Sequence, residues 1–350
     1  MNLTSFRTLG RSGLVVSPLA LGTMTFGNPR WGSTDEISEA VFTAYVEAGG
    51  NFLDTADVYS GGRSEELLGR YIKARGLREQ LVLASKFGFN AQPGNPHAGG
   101  NGRKNLYRAL EGSLRRLGTD YLDLYWLHTW DMVTPVEEVL QTLGDLVRAG
   151  KIRYFGFSNV PAWYATQAAT LAAVHHQPGP IALQLEYSLV SRTIEQEHVA
   201  AARACGLGIT PWSPLAAGFL AGKYRPEGTG SASGQGRLTG PNPFGNSKFT
   251  DHNWRVLETL RDVAAQLEQP LAPVALAWTL AQPSISSLIL GARQLSQLHD
   301  NLASLTLQLT PEQLQRLDEA SAPAPTSPYG IFSPAVNRSI FGGHEVQAWR

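Results

Sequence analysis

Short apolar or β-branched runs recur along the chain, and longer stretches of helical period separate them. Eight runs read as strands, at 16–21, 51–54, 81–86, 122–127, 153–157, 181–185, 208–211 and 286–290. Helix signals fall between them. Thr34-Asp35-Glu36-Ile37 offers an N-cap and an acidic first turn, and Ala48-Gly49-Gly50 closes that helix. Pro135-Val136-Glu137-Glu138 opens another at a favoured first-turn proline, with its end at Arg148-Ala149-Gly150-Lys151. Thr310-Pro311-Glu312-Gln313 repeats the start signal. Eight strand–helix units fit a (β/α)8 barrel, which spans ~250 residues plus insertions. The same alternation also permits a doubly wound open sheet. No composition break or linker divides the chain, so a single domain over residues 1–350 is expected.

Three stretches interrupt the alternation. Residues 1–15 contain Thr8-Leu9-Gly10-Arg11-Ser12-Gly13-Leu14-Val15, two strand-like pieces about a glycine turn, which predicts an N-terminal β-hairpin closing one end of the barrel. Residues 87–103 are rich in Gly, Pro and Asn, and residues 222–250 form a second long loop with a Gly-Thr-Gly-Ser-Ala-Ser-Gly run. Both follow strands, so both belong at the C-terminal mouth, where long loops carry function. The tail at 321–350 is expected to run extended over that mouth or to be partly disordered.

Composition narrows the classes. Apolar residues are 43% and charged residues 17% of the 350, which suits a large buried α/β core. Lys plus Arg and Asp plus Glu both number 29, so no net field attracts nucleic acid or an anionic membrane, and Arg115-Arg116 is the main basic pair. The one cysteine, Cys205, excludes an internal disulfide and fits a reducing compartment. No basic leader opens Met1-Asn2-Leu3-Thr4, and no apolar run approaches membrane-spanning length. A cytoplasmic chain with no metal is expected, its oligomeric state unreadable.

Candidate chemistry gathers at three strand ends. Asp54, Lys86 and His128 end or follow apolar runs, and Tyr59 lies five residues past Asp54. On a barrel all four converge on one mouth. A phenol titrates near 10 and is a poor acid alone, but an adjacent ammonium favours the phenolate and lowers that value. Lys86 would supply the charge, Asp54 would hold it, and His128 would contact a substrate oxygen. Such a set can protonate an oxygen as negative charge develops on it, which suits carbonyl reduction.

These residues lie in motifs that resemble the aldo-keto reductase superfamily. The matching stretches are Leu19-Ala20-Leu21-Gly22-Thr23-Met24, residues 51–69 from Asn51-Phe52-Leu53-Asp54, Leu83-Ala84-Ser85-Lys86-Phe87, residues 118–128, and Gly150 to Asn159. Gln184-Leu185-Glu186-Tyr187-Ser188, residues 211–218, and Ile289-Leu290-Gly291-Ala292-Arg293 continue the match in order. Trp212-Ser213-Pro214-Leu215 is most similar to the bacterial and potassium-channel-β-like branches. The resemblance implies a (β/α)8 barrel that uses NADPH/NADP+ without a Rossmann motif, with Tyr59 as general acid, Lys86 and Asp54 tuning it, and His128 orienting the carbonyl.

By the same resemblance, Ser158, Asn159 and Gln184 hold the nicotinamide carboxamide, with Gly22, Thr23, Met24 and Asp54 around the cofactor. Trp212 stacks on the nicotinamide ring. Ser213, Pro214, Leu215, Ala216, Gly218 and Lys223 belong to the loop around the pyrophosphate, and the 222–250 loop clasps the cofactor. Gly291, Ala292, Arg293, Gln297 and Asn301 match the adenosine end, with Arg293 suited to a 2′-phosphate. Trp31, Phe87 and Trp130 are expected to form an apolar wall around a small carbonyl substrate beside Tyr59 and His128. Two other readings stand: a Schiff-base lyase with Lys86 as nucleophile, and a cofactor-binding redox sensor of the channel-β type with little turnover.

Overall fold

The computed structural model describes residues 1–28, 30–228, 230–234, 236–238, 248–324 and 326–347. The first half runs β1 (Arg7–Thr8), β2 (Val15–Val16), β3 (Leu19–Gly22), α1 (Asp35–Glu47), β4 (Phe52–Asp54), α2 (Arg63–Arg75), β5 (Val82–Phe87), α3 (Arg103–Leu117), β6 (Leu122–Leu127), α4 (Val136–Arg148), β7 (Ile152–Ser158) and α5 (Ala162–Val174). The second runs β8 (Ala182–Gln184), α6 (His198–Cys205), β9 (Gly208–Ile209), β10 (Tyr224–Pro226), β11 (Ala232–Gly234), α7 (Asp251–Gln266), α8 (Leu271–Ala281), β12 (Leu288–Gly291), α9 (Leu295–Leu302), α10 (Pro311–Ser321) and α11 (Pro334–Ile340).

All eight expected strands form, and they pair in parallel in the order β12-β3-β4-β5-β6-β7-β8-β9. The two edges meet. Ile209 bridges Ile285 just before β12, and the Ile289 N–H donates to the Pro211 carbonyl at 3.0 Å. Closure makes a (β/α)8 barrel and removes the open-sheet alternative. The first strand is shorter than its apolar run, because Pro18 has no N–H to continue the ladder. Val15 and Val16 pair instead with Thr8 and Arg7 in the antiparallel hairpin.

Side-chain parity explains how the barrel is filled. Ala20, Phe52, Val82, Ala84, Leu124, Trp126, Ala182 and Ile289 point inward, and Leu9, Leu14 and Val16 of the hairpin plug the N-terminal end beneath them. Alternate residues such as Leu53, Leu83, Phe87, Tyr125, Leu127 and Phe157 face outward and join the helices in the main core. Continuing the inward set toward the mouth gives Asp54, Lys86, His128, Ser158 and Gln184. Trp126 forms the floor below them, and Gly156 makes room for it: a Cβ there would lie 2.4 Å from the indole.

Local signals place the helices. Thr34 caps α1 by accepting from the Ile37 N–H, and Thr310 with Gln313 forms a capping box on α10, each cap contributing about 1 kcal/mol. The long loop after β9 is tied down by the rings of Phe219, Tyr224, Phe249 and Trp254 and by an ion pair from Lys248 to Glu186 at 2.7 Å. Residues 239–247 of that loop lie outside the described residues, as do Thr229 and Gln235. The tail contains α11 where an extended course is expected, because Ser333 caps it and Pro334 opens its first turn. Pro325 and residues 348–350 lie outside the described residues. Among the described residues no helix is long and apolar enough to cross a membrane.

Candidate active site

A cavity of about 570 Å3 opens at the C-terminal mouth. At its deep end Lys86 is fully buried, and its ammonium donates to Asp54 Oδ1, to the Thr55 carbonyl at 2.8 Å and to the Tyr59 hydroxyl at 3.2 Å. All three lysine N–H groups therefore have acceptors. Asp54 Oδ2 accepts from Gln184 Nε2 at 2.9 Å. Burial works most strongly against the charged lysine, but Asp54 and Tyr59 together outweigh it, so the ammonium is held above its ordinary pKa. A charged, paired ammonium is the opposite of what a Schiff-base nucleophile needs.

Tyr59 begins a tight turn over residues 59–62, in which Ser60, Gly61 and Gly62 all have positive φ. The Ser60 hydroxyl donates to the Phe26 carbonyl at 2.9 Å and fixes that turn. The phenol is directed against the His128 ring, edge-on with centroids 5.7 Å apart. Lys86 was expected to draw the phenol's pKa down. Burial pushes it up by more than Lys86 pulls, so the net direction is upward. Tyr59 accordingly keeps its proton at neutral pH. Burial first, and Lys86 second, hold His128 well below the usual imidazole range, so its ring is neutral. Among the described residues, His128 Nδ1 is buried without a hydrogen-bond partner.

The cavity continues from this cluster past further expected residues. Gly22, Met24, Trp31, Ser158, Asn159, Gln184, Trp212, Ser213, Pro214, Leu215, Gly218, Lys223, Gly291, Arg293, Gln297 and Asn301 all line it. Asn159, at positive φ, donates to the His128 carbonyl (2.9 Å) and Ser158 Oγ (3.0 Å) and accepts from Trp212 Nε1 (3.1 Å). Its amide donors are thereby used. The Ser158 hydroxyl, the Gln184 oxygen and the second Gln184 N–H remain for a carboxamide. At the far end burial, then Arg293, lowers the Lys223 pKa, and the Arg293 N–H is fixed on Gln297 Oε1 at 3.0 Å. Two cations that repel each other in one cavity favour an anion between them. This donor set fits a nicotinamide dinucleotide carrying phosphates.

Several expected residues are placed elsewhere. Phe87 faces outward, fully buried against Tyr125 (centroids 4.9 Å), because it directly follows inward-facing Lys86. Trp130 packs on Trp163 and Tyr164 at 5.5 and 6.1 Å and does not line the cavity. Thr23, Ala216 and Ala292 are buried just behind the wall: the Thr23 hydroxyl bonds the Asp54 carbonyl and Ser64, and the Ala292 carbonyl accepts from Thr25. Lining residues that sequence reasoning missed include Val58, Phe89, Arg237, Leu271 and Asp300. Phe89 sets its ring against His128 at 4.8 Å, and Arg237 lies over the Trp31 ring at 4.7 Å. Neither Phe89 nor Leu271 carried a signal in the sequence: Phe89 lies beyond the end of β5, where the alternation no longer holds, and Leu271 begins a helix.

A parallel barrel with a buried Asp–Lys pair, a protonated phenol and a neutral imidazole at its mouth defines an oxidoreductase-type site. The sequence profile of the Aldo/keto reductase family matches residues 18–322. The chain is 36% identical over 331 residues to a probable voltage-gated potassium channel subunit beta of Oryza sativa subsp. japonica, covering 93% of this chain and 99% of that protein. It is 35% identical over 323 residues to the uncharacterized oxidoreductase YrpG of Bacillus subtilis (strain 168), covering 89% and 94%. It is 31% identical over 350 residues to an aryl-alcohol dehydrogenase (NADP(+)) of Phanerodontia chrysosporium, covering 94% and 88%. This chain belongs to the aldo/keto reductase family.

Proposed function

We propose that the protein is an NADPH-dependent reductase that converts an aldehyde or ketone, preferentially an aromatic one, to the alcohol in the cytoplasm. The observation that carries this is the single cavity joining Tyr59 and His128 to the cation pair Lys223 and Arg293. When bound, NADPH supplies a hydride. Ser158 and Gln184 would hold its carboxamide, Trp212 its ring face, and Lys223 and Arg293 its phosphates. Neutral His128 orients the carbonyl oxygen, and Tyr59 gives that oxygen its proton as charge develops. Lys86, beside the phenol, stabilises the phenolate that results, and Asp54 keeps the ammonium in place. Trp31, Phe89 and Met24 give the mouth apolar walls, which suit an aryl group; the name of one relative, an aryl-alcohol dehydrogenase, points the same way.

The test is NADPH oxidation with aromatic and aliphatic aldehydes, using Tyr59→Phe as the comparison. Turnover is expected to fall about 10²–10⁴-fold in the variant while NADP+ affinity is kept. Undiminished reduction by Tyr59→Phe would sink the role given to the phenol. The likeness to channel β subunits favours a second reading, a cofactor-binding regulatory subunit. Tight NADP+ binding by the wild type with no turnover of any carbonyl compound would select it.

A further inference from the structure

The opposite, N-terminal face of the barrel carries a second cavity of about 340 Å3. Arg7 and Arg11 reach it from the β1–β2 hairpin, Arg203 from the last turn of α6, and Ser284 and Ser286 from the loop entering β12. Among the described residues, no Asp or Glu lines it. Among the described residues, none of the three guanidiniums takes part in an ion pair.

Internal bonds use few of the available donors, of which each guanidinium has several. Arg7 donates to the Ile285 carbonyl (3.4 Å) and to Met1 Sδ (3.0 Å), and Arg203 Nε donates to Ser284 Oγ (3.2 Å). The Arg11 side chain, packed beside Gly206, makes no hydrogen bond within the described residues. Burial alone lowers the Arg7 pKa, with no neighbouring carboxylate to offset it. The carbonyls ending α6 attract cations, which accounts for Arg203 and Arg11 near Gly206. That attraction does not account for Arg7, whose guanidinium instead bonds the Ile285 carbonyl.

We infer that this cavity is a phosphate-binding site, formed by Arg7, Arg11 and Arg203, which takes free phosphate or a small phosphate monoester. Planar guanidiniums match phosphate oxygens two at a time, and the Ser286 hydroxyl adds a neutral donor at the rim. The volume accepts a phosphate with a few attached carbons. The site lies at the end of the barrel away from Tyr59, so its occupant takes no part in the proposed carbonyl chemistry.

Isothermal calorimetry with inorganic phosphate and with glycerol 3-phosphate, at ionic strength matched with NaCl, tests this. Two double variants are compared with wild type. Arg11→Ser/Arg203→Ser alters two exposed residues of the new site, and Lys223→Ser/Arg293→Ser removes two of the cations of the large cavity. Circular dichroism and unliganded melting confirm that each folds. Phosphate binding is expected to weaken about tenfold or more in the first variant and to persist in the second. A tighter monoester identifies a carried phosphate, and equal or tighter inorganic phosphate identifies the free ion. No binding by wild type, or loss only in the Lys223→Ser/Arg293→Ser variant, overturns the inference.

Discussion

Replacing Lys86 by methionine shortens the side chain by one atom, keeps it unbranched and deletes its charge. The side chains of Lys86 and Asp54 are 0% and 3% exposed, so water cannot take the ammonium's place. In Lys86→Met, Asp54 keeps only the bond from Gln184 Nε2, and the Thr55 carbonyl loses its donor. A buried charge left in this way costs about 3–5 kcal/mol. Asp54→Asn leaves the converse, a buried ammonium with only neutral acceptors, at similar cost. The double variant has no charge to strand. Its loss should fall to about 1–2 kcal/mol, the value of the missing hydrogen bonds. Urea unfolding of the four proteins at neutral pH, followed by tryptophan fluorescence, closes the cycle. The single losses should exceed the double by at least about 2 kcal/mol in sum. Additive losses, or a Lys86→Met cost under about 1 kcal/mol, would refute the view that this pair is desolvated and mutually dependent.

Two further outcomes are expected. Asp57 is buried beside Glu65, and burial, then Glu65, push its carboxyl up to about 7, while Oδ1 has no hydrogen-bond partner among the described residues. Between the unfolded value near 4 and about 7 the native state binds the extra proton, so this group's contribution falls as pH rises through that window. Asp57→Asn should therefore be near-neutral at pH ~4 and stabilising by up to about 4 kcal/mol at pH ~8, read by urea midpoints; an equal effect at both pH values would count against it. Phe87→Ala should cost about 3–5 kcal/mol of stability. Phe89→Ala should leave stability nearly unchanged and raise KM for aromatic aldehydes in steady-state assays. Reversal of that pattern would mean that Phe87 lines the cavity and Phe89 packs in the core.

The eight strands were legible because a strand's pattern is local: each apolar run sits between its own turn signals, and the caps at Thr34 and Thr310 are set by residues three positions apart. Asp54, Lys86 and His128 were legible for the same reason, since each continues the inward alternation of its strand. The error at Phe87 was avoidable on that rule, because a residue adjacent to Lys86 must face the helices. Trp130 was not decidable in this way. It follows the end of β6, where parity lapses, and its neighbours Trp163 and Tyr164 come from another helix.

The sequence by itself determined the barrel's elements, the order in which they appear and the residues able to exchange a proton. Those properties depend on spacing along the chain and on side-chain chemistry. Tertiary structure alone decided which distant segments complete the cavity: Arg237 comes from the long loop, Leu271 from the start of α8, and Asp300 from α9. It also decided the direction of Tyr59's pKa. Both carry the same physical reason: desolvation and packing are set by everything that surrounds a group, and most of what surrounds Tyr59 lies far from it in sequence.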